Sequence, residues 1–301
     1  MNTMPRILVL GAAGQLGTEL QRSFSGYGEI TAVNRQSLDL AAEHRTRDLV
    51  RRTKPAIILN AAAYTAVDRA ESDRECAMAI NAHAPRVLAE EALRANALLV
   101  HYSTDYVFDG EKREPWIESD APNPQNFYGL SKLAGEQAIN ELGGRYLIFR
   151  TSWVYGPYGR NFLLTMLHLA RQRDRISIVD DQYGSPTTSS ELANATYKIV
   201  SRILAGQFGA ADSWAGLYHM TCSNSTSWCG FAREIFARAG GLLDGKTPEV
   251  IPIGSADYPT PARRPHNSVL SNALLRSRFD VQLAPWEIAL EAVIHALTGS
   301  K

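Results

Sequence analysis

From residue 6 onward, short unbroken apolar runs alternate with longer stretches whose apolar residues recur at helical spacing. The run RILVL (6 to 10) predicts a buried strand, and GQLGTELQRSF after it predicts a helix. EITAV (29 to 33) predicts a second strand, and AIILNAA (56 to 62), entered from Pro55, a third. A helical stretch from about Arg69 to Ala95 follows, and then LLVHYSTDYVF (98 to 108) as a strand. The segment Asp109 to Gln125, rich in Pro, Glu and Asp, predicts a loop leading into another helix. YLIFRTSWVYG (146 to 156) predicts one more sheet strand running into a loop. Continuous apolar strands separated by helices mean parallel βαβ units covered on both faces, so the first half is a doubly wound α/β domain.

Beyond about residue 157 the regularity loosens. Helical stretches at 161 to 173, 189 to 205, 228 to 240 and 284 to 297 alternate with short strands near 176 to 179, 217 to 220 and 249 to 253. A proline-rich segment, YPTPARRPHNS, runs from 258 to 268. The expected organisation is a dinucleotide-binding domain over residues 1–150. Residues 151–301 then form mainly a smaller substrate-binding lobe, with some elements returning to the main sheet.

The segment GAAGQLG supplies the reason to expect a dinucleotide. Gly11, Gly14 and Gly17 follow a strand and open a helix, with Gln15 and Leu16 between them. The glycines permit a tight turn and close backbone approach, while the helix N-terminus presents unpaired N–H groups to a pyrophosphate. That makes the first half a Rossmann-type domain, although the spacing is GxxGxxG and not GxGxxG.

Cofactor choice is read at the end of the second strand, where a carboxylate normally binds the ribose 2′-hydroxyl and repels a 2′-phosphate. Here the end reads Val33-Asn34-Arg35-Gln36. No carboxylate is present, and Arg35 suits a phosphate, or else is a solvated loop cation. NADPH is therefore expected to serve at least as well as NADH. Asp39 and Leu40 are placed to flank the adenine. At the end of the third strand, Ala61, Ala62, Ala63, Tyr64 and Thr65 form a mostly small-residue edge against which the cofactor backbone can lie.

Composition narrows the class. Lys plus Arg and Asp plus Glu are both 31 and the pI is about 7.1, so bulk charge points to no nucleic acid or other polyanion. No apolar run approaches the roughly 20 residues of a bilayer span. The start MNTMPRILVLGAAG enters a strand without signal-peptide features, so a cytoplasmic enzyme is expected. Cys76, Cys222 and Cys229 form no CxxC pair, and the seven histidines show no HxxxH or HExxH spacing, which argues against a catalytic metal.

Two residues of the run YGLSK carry candidate chemistry. Tyr128 and Lys132 stand four apart, on one face of a helix, where an ammonium can lower the phenol pKa. Thr104 emerges at the C-terminal edge of its strand. Its hydroxyl can bond a substrate carbonyl oxygen, Tyr128 can supply the proton, and Lys132 can also hold the nicotinamide ribose. Trp153, just past a strand, suits either core packing or the wall of a sugar or base pocket. Arg263 and Arg264, framed by prolines, suit a diphosphate through their forked donors, with the choice between them open.

Through GAAGQLG, the NAAA strand end, STDYVF and YGLSK the chain resembles the extended short-chain dehydrogenase/reductase superfamily. Within it, NAAAYTAVDRAE, HYSTDYVFDG, YGLSKLAGE, RTSWVYG, NFLLTML, DQYGSPT, GLYH and YPTPARRPHNSVL resemble the dTDP-4-dehydrorhamnose reductase family over nearly the whole chain. The resemblance implies NAD(P)H-dependent reduction of a dTDP-sugar substrate, dTDP-6-deoxy-L-lyxo-4-hexulose, at its 4-keto group to give dTDP-L-rhamnose. It implies Tyr128 as proton donor, Lys132 as its partner and Thr104 as a hydrogen-bond donor to the carbonyl. It also implies Asp105 and Trp153 against the substrate, and Tyr102, Ala63, Tyr64 and Thr65 along the cofactor.

Sister 4,6-dehydratases carry Thr-Asp-Glu where this chain has Thr104-Asp105-Tyr106, so the base for eliminating water is missing. Another sugar-nucleotide 4-ketoreductase or an epimerase, and a non-catalytic nucleotide-binding subunit, remain the alternatives. Some relatives dimerise around magnesium held by glutamates, but Ser190 takes one such place here, with Glu191 one residue on. A one-residue shift on a helix turns a side chain by about 100°. No bridging Mg2+ is expected, and the oligomeric state stays open, a homodimer among the options.

Overall fold

The computed structural model describes residues 4–243, 245 and 247–299. The first half runs β1 (Arg6–Leu10), α1 (Gln15–Ser23), β2 (Glu29–Val33), α2 (Glu43–Thr53), β3 (Ile57–Asn60), α3 (Val67–Ala70), α4 (Arg74–Met78), α5 (Ala84–Ala95), β4 (Leu98–Thr104), α6 (Phe127–Leu142) and β5 (Tyr146–Thr151). The second half runs β6 (Val154–Tyr155), α7 (Phe162–Ala170), β7 (Arg175–Val179), β8 (Tyr183–Gly184), β9 (Thr187–Thr188), α8 (Ser189–Leu204), β10 (Gly216–His219), β11 (Thr226–Ser227), α9 (Trp228–Arg238), β12 (Glu249–Ile253), α10 (Ala273–Phe279) and α11 (Trp286–Gly299).

The main sheet has the order β10-β5-β4-β3-β1-β2, and all its pairings are parallel. Its strands are apolar throughout because alternate residues serve two buried layers. Ile7, Val9, Leu59, Val100 and Phe149 face a large core that includes Leu20 of α1 and Leu192 and Ile199 of α8. Leu8, Leu10, Ile58, Leu99 and Ile148 face the opposite layer, with Val50 of α2, Leu88 of α5 and Ile139 of α6. The late strand β10 completes the sheet by pairing with β5, Tyr218 beside Phe149 and His219 beside Arg150. Beyond the sheet, β7 pairs with β12 and β6 with β9 in separate two-stranded sheets.

Three predicted elements end differently. The helix expected from Arg69 to Ala95 is divided into α3, α4 and α5, with a π turn over Ala79–His83 just before α5. The third strand stops at Asn60, leaving Ala61 and Ala62 in the loop, and the fourth stops at Thr104, where a single 3-10 turn takes Asp105–Val107. The fifth strand, read as running into a loop, stops at Thr151. Trp153, at φ 48°, turns the chain out of the sheet, and Val154–Tyr155 pair instead with Thr187–Thr188. Among the described residues no helix is long and apolar enough to cross a membrane.

Candidate active site

At the C-terminal ends of β1, β2 and β3 a cavity of about 590 Å³ opens along the sheet edge. Gly11 and Gly14 form its floor. Gly11 lies at φ +74°, and a Cβ there would come within 2.7 Å of the Ala62 nitrogen. A Cβ on Gly17 would meet the Gly11 oxygen at 2.1 Å, so α1 can press on the turn only without one. The N-cap of α1 is Gly14, with no capping side chain, so the first-turn N–H groups stay available to an anion. This cradle, free of side chains at the helix mouth, fits a dinucleotide pyrophosphate.

Asn34, Arg35, Asp39 and Leu40 line the cavity, as do Ala61 through Thr65. Asn34 and Asp39 also shape it, since their side chains accept the backbone N–H groups of Gln36, Ser37 and Ala41. Of the predicted loop residues, Gln15, Leu16 and Gly17 do not line the cavity; what they give the cradle is the N–H groups of the first helical turn. Gln15 Oε1 accepts from Asn161 Nδ2 at 2.8 Å, and Leu16 packs on the core. Tyr102 also lies apart from it: its side chain crosses to the other face and its hydroxyl meets Thr196 Oγ1 at 2.8 Å.

Thr104 ends β4 and sits opposite Thr151 of β5. Its hydroxyl donates to Asp105 Oδ1 at 2.9 Å and accepts from the Tyr106 N–H. Tyr128 is set in the first turn of α6, which Asn126 caps by accepting from the Gly129 N–H at 2.8 Å. Gly129 is required there, because a Cβ would lie 2.1 Å from the Tyr106 oxygen. The ring of Tyr128 meets that of Tyr106 edge-on at 5.6 Å. Burial pushes its phenol pKa up to about 12, and the Thr104 hydroxyl pulls in the other direction. The phenol thus keeps its proton at neutral pH, as a donor must.

Lys132, four residues on from Tyr128 on α6, has hydrogen-bond partners on β4. The Lys132 ammonium, 1% exposed, donates to the Tyr102 carbonyl at 2.5 Å and lies 3.3 Å from His101 Nε2. Its long stem carries the charge to β4. Burial lowers its pKa to about 8 while the Glu136 carboxylate raises it. Asp105 is also buried, which pushes its carboxyl up to about 6, and the nearby hydroxyls of Ser268 and Thr104 draw it part of the way back.

Trp153 follows β5 directly, two residues past the Thr104 partner Thr151. Its indole stacks on Trp228 with centroids 3.5 Å apart, and Gly184 packs against it so closely that a Cβ would lie 2.5 Å from Cε2. A left-handed backbone at a tryptophan is rare and is held here by that stacking. The two arginines diverge. Arg264 forks onto Asp68 at 2.8 and 3.0 Å, which holds the Asp68 carboxyl below its ordinary range. Arg263 reaches out to Glu111, and its carbonyl accepts from Asn126 Nδ2. Both guanidinium groups are therefore engaged by carboxylates.

Several residues of the site escape sequence reading. Arg69, Cys76 and Ile80 line the cavity from α3, α4 and the π turn. Asn81 is fully buried, holds the backbone of Tyr64 through both its N–H and its carbonyl, and donates to Ser131 on α6. Asn126 alone carried a usable signal, an Asn just before an apolar helical run. Glu191 turns its carboxylate to the Ala284 N–H at 2.9 Å, and Ser190 bonds Thr188.

Comparison with known proteins places these residues in context. The model of the RmlD substrate binding domain family matches residues 5–298. A dTDP-4-dehydrorhamnose reductase of Burkholderia thailandensis is 45% identical over 296 residues, 97% of this chain and 99% of that one. One of Escherichia coli K12 is 41% identical over 297 residues, 97% of each. The crystal structure of a dTDP-4-dehydrorhamnose reductase from Bacillus anthracis in complex with NADP superposes with a TM-score of 0.89 at 36% identity, covering 98% of this chain and all of that one.

Proposed function

Because the chain belongs to the RmlD substrate binding domain family, we propose that its crevice carries out the reaction for which its relatives are named. The protein is an NAD(P)H-dependent oxidoreductase that reduces the 4-keto group of dTDP-6-deoxy-L-lyxo-4-hexulose to give dTDP-L-rhamnose. The observation that carries the assignment of roles is the Tyr128 phenol set beside the Thr104 hydroxyl at the sheet edge, on the helix whose Ser131 is bonded through Asn81 to the cavity residue Tyr64.

When bound, the nicotinamide supplies the hydride that reaches the substrate C4. Gly11, Gly14 and the N-terminus of α1 would hold its pyrophosphate, Arg35 the adenosine end, and Lys132 the ribose beside the nicotinamide. Thr104 turns its hydroxyl from Asp105 to the substrate O4 and polarises the carbonyl. Tyr128 donates its phenolic proton to O4 as negative charge develops there, leaving a tyrosinate that solvent reprotonates. The Lys132 ammonium, on the same helix, favours that transient anion. Asp105, freed of Thr104, is placed to accept a sugar hydroxyl, with Trp153 as a wall.

The decisive assay is NADPH oxidation with the dTDP-4-keto hexulose followed by product identification. One dTDP-rhamnose per NADPH is expected, whereas NADPH consumption without rhamnose would point to a different 4-ketoreductase. For cofactor choice, Arg35→Ala should lower kcat/KM with NADPH by about ten- to a hundredfold, the worth of a charge-assisted phosphate bond, and leave NADH nearly unaffected. Equal losses with the two cofactors would remove Arg35 from reading the 2′-phosphate.

A further inference from the structure

His101 stands in the middle of β4, fully buried, between Val100 and Tyr102. An imidazole in such a strand is costly unless both nitrogens find partners. Nε2 lies 3.3 Å from Lys132 Nζ, and Nδ1 lies 3.0 Å from the side-chain nitrogen of Asn60, its register partner on β3. Asn60 is itself fully buried and ends the strand that leads into the small-residue cofactor edge. Two successive residues of β4 thus hold one ammonium, Tyr102 by its carbonyl and His101 by its ring.

We infer that His101 is a positioning residue for Lys132: it fixes the ammonium from below, ties it through Asn60 to the cofactor strand, and leaves the third N–H free for the ligand. This rests on the role given to Lys132 above. An unrestrained lysine head on a four-carbon stem samples many positions, and each restraint narrows them. With Lys132 charged, Nε2 is the acceptor and Nδ1 carries the proton; the Asn60 amide, whose nitrogen faces Nδ1 and whose oxygen takes the Ala62 N–H, then rotates to accept that proton and gives up the Ala62 bond. Burial and the Lys132 charge keep His101 uncharged. The groups facing Lys132 are His101 and the Tyr102 carbonyl on β4, and Tyr128 and Glu136 one turn away on α6. Of these, the Glu136 carboxylate is bonded to Arg150.

The test compares His101→Gln, which keeps an acceptor near the Nε2 position, with His101→Phe, which keeps the volume and removes it. His101→Phe should lose on the order of a hundredfold in kcat, the cost of a mispositioned group, with KM for the keto sugar nearly unchanged. Loss of a bond to the charged form lowers the Lys132 pKa, so the alkaline limb of kcat should move to lower pH. His101→Gln should restore both. Should His101→Phe fail to fold, His101→Met makes the same comparison.

Wild-type kcat and an unmoved alkaline limb in the apolar variant would overturn the inference, as would equal damage in His101→Gln with the limb unmoved. Lys132→Met, measured alongside, separates the two levels. Full turnover in Lys132→Met removes the role of Lys132 itself. Loss there with a normal His101→Phe removes only the inference.

Discussion

Tyr128→Phe is expected to lower kcat by about three orders of magnitude, within the usual range for a positioned proton donor, while NADPH binds almost as before. The substitution deletes one oxygen and leaves the ring in its edge-on contact with Tyr106 at 5.6 Å. Thr104 still reaches the carbonyl, so what is lost is proton transfer and not substrate placement. Across the neutral range the wild-type phenol remains protonated, since burial pushes it up to about 12. The deficit should therefore stay nearly constant between mildly acidic and neutral pH. Single-turnover NADPH oxidation, with cofactor affinity taken from fluorescence titration, checks both parts. Turnover near that of the wild type would remove the phenol from its role.

The largest expected effect on stability comes from Arg150→Met. Arg150 and Glu136 form a bidentate pair at 2.6 and 2.9 Å with both side chains only 4% exposed. Removing one partner leaves the other charge buried without compensation, a cost of about 3–5 kcal/mol. Because β5 carries the arginine and α6 the glutamate, the pair also fastens the helix of Tyr128 and Lys132 to the sheet. The double variant Arg150→Met with Glu136→Met should recover most of the loss, since two apolar groups of similar volume leave no orphan charge. Urea unfolding of the single and double variants measures the difference. Equal midpoints for the single variant and the wild type would mean that the carboxylate finds other support.

The strands of the main sheet were legible because two-sided burial demands unbroken apolar runs, and the glycine turn was legible because its spacing is a backbone requirement. What sequence concealed is set by contacts between distant segments. The run YLIFRTSWVYG reads as a strand passing into a loop, but it does not show that stacking on Trp228 and packing on Gly184 hold Trp153 at a positive φ two residues past β5. The helical pattern from Arg69 to Ala95 cannot show a π turn, although that turn brings Asn81 between the Tyr64 backbone and Ser131.

In the site, Thr104, Tyr128 and Lys132 were readable as chemistry. The partner of Lys132 was not, because helical spacing reports which face a side chain shares and not how far its stem reaches. His101 and Asn60 face each other only through the register of β3 and β4. Arg263 and Arg264 were readable as forked donors, but their engagement by Glu111 and Asp68 comes from segments far away in the chain.

The position of β10 also bears on how the protein is made. β5 is finished at Thr151, but its outer neighbour spans Gly216–His219. At a synthesis rate of about 5–20 residues per second, the ribosome would leave that edge bare for roughly 3 to 14 s. Throughout that interval Leu147, Ile148 and Phe149 lie along an unpaired parallel edge, the kind of template that recruits strands from other chains. Chaperone capture of nascent chains should therefore concentrate on lengths at which β5 has emerged and β10 has not.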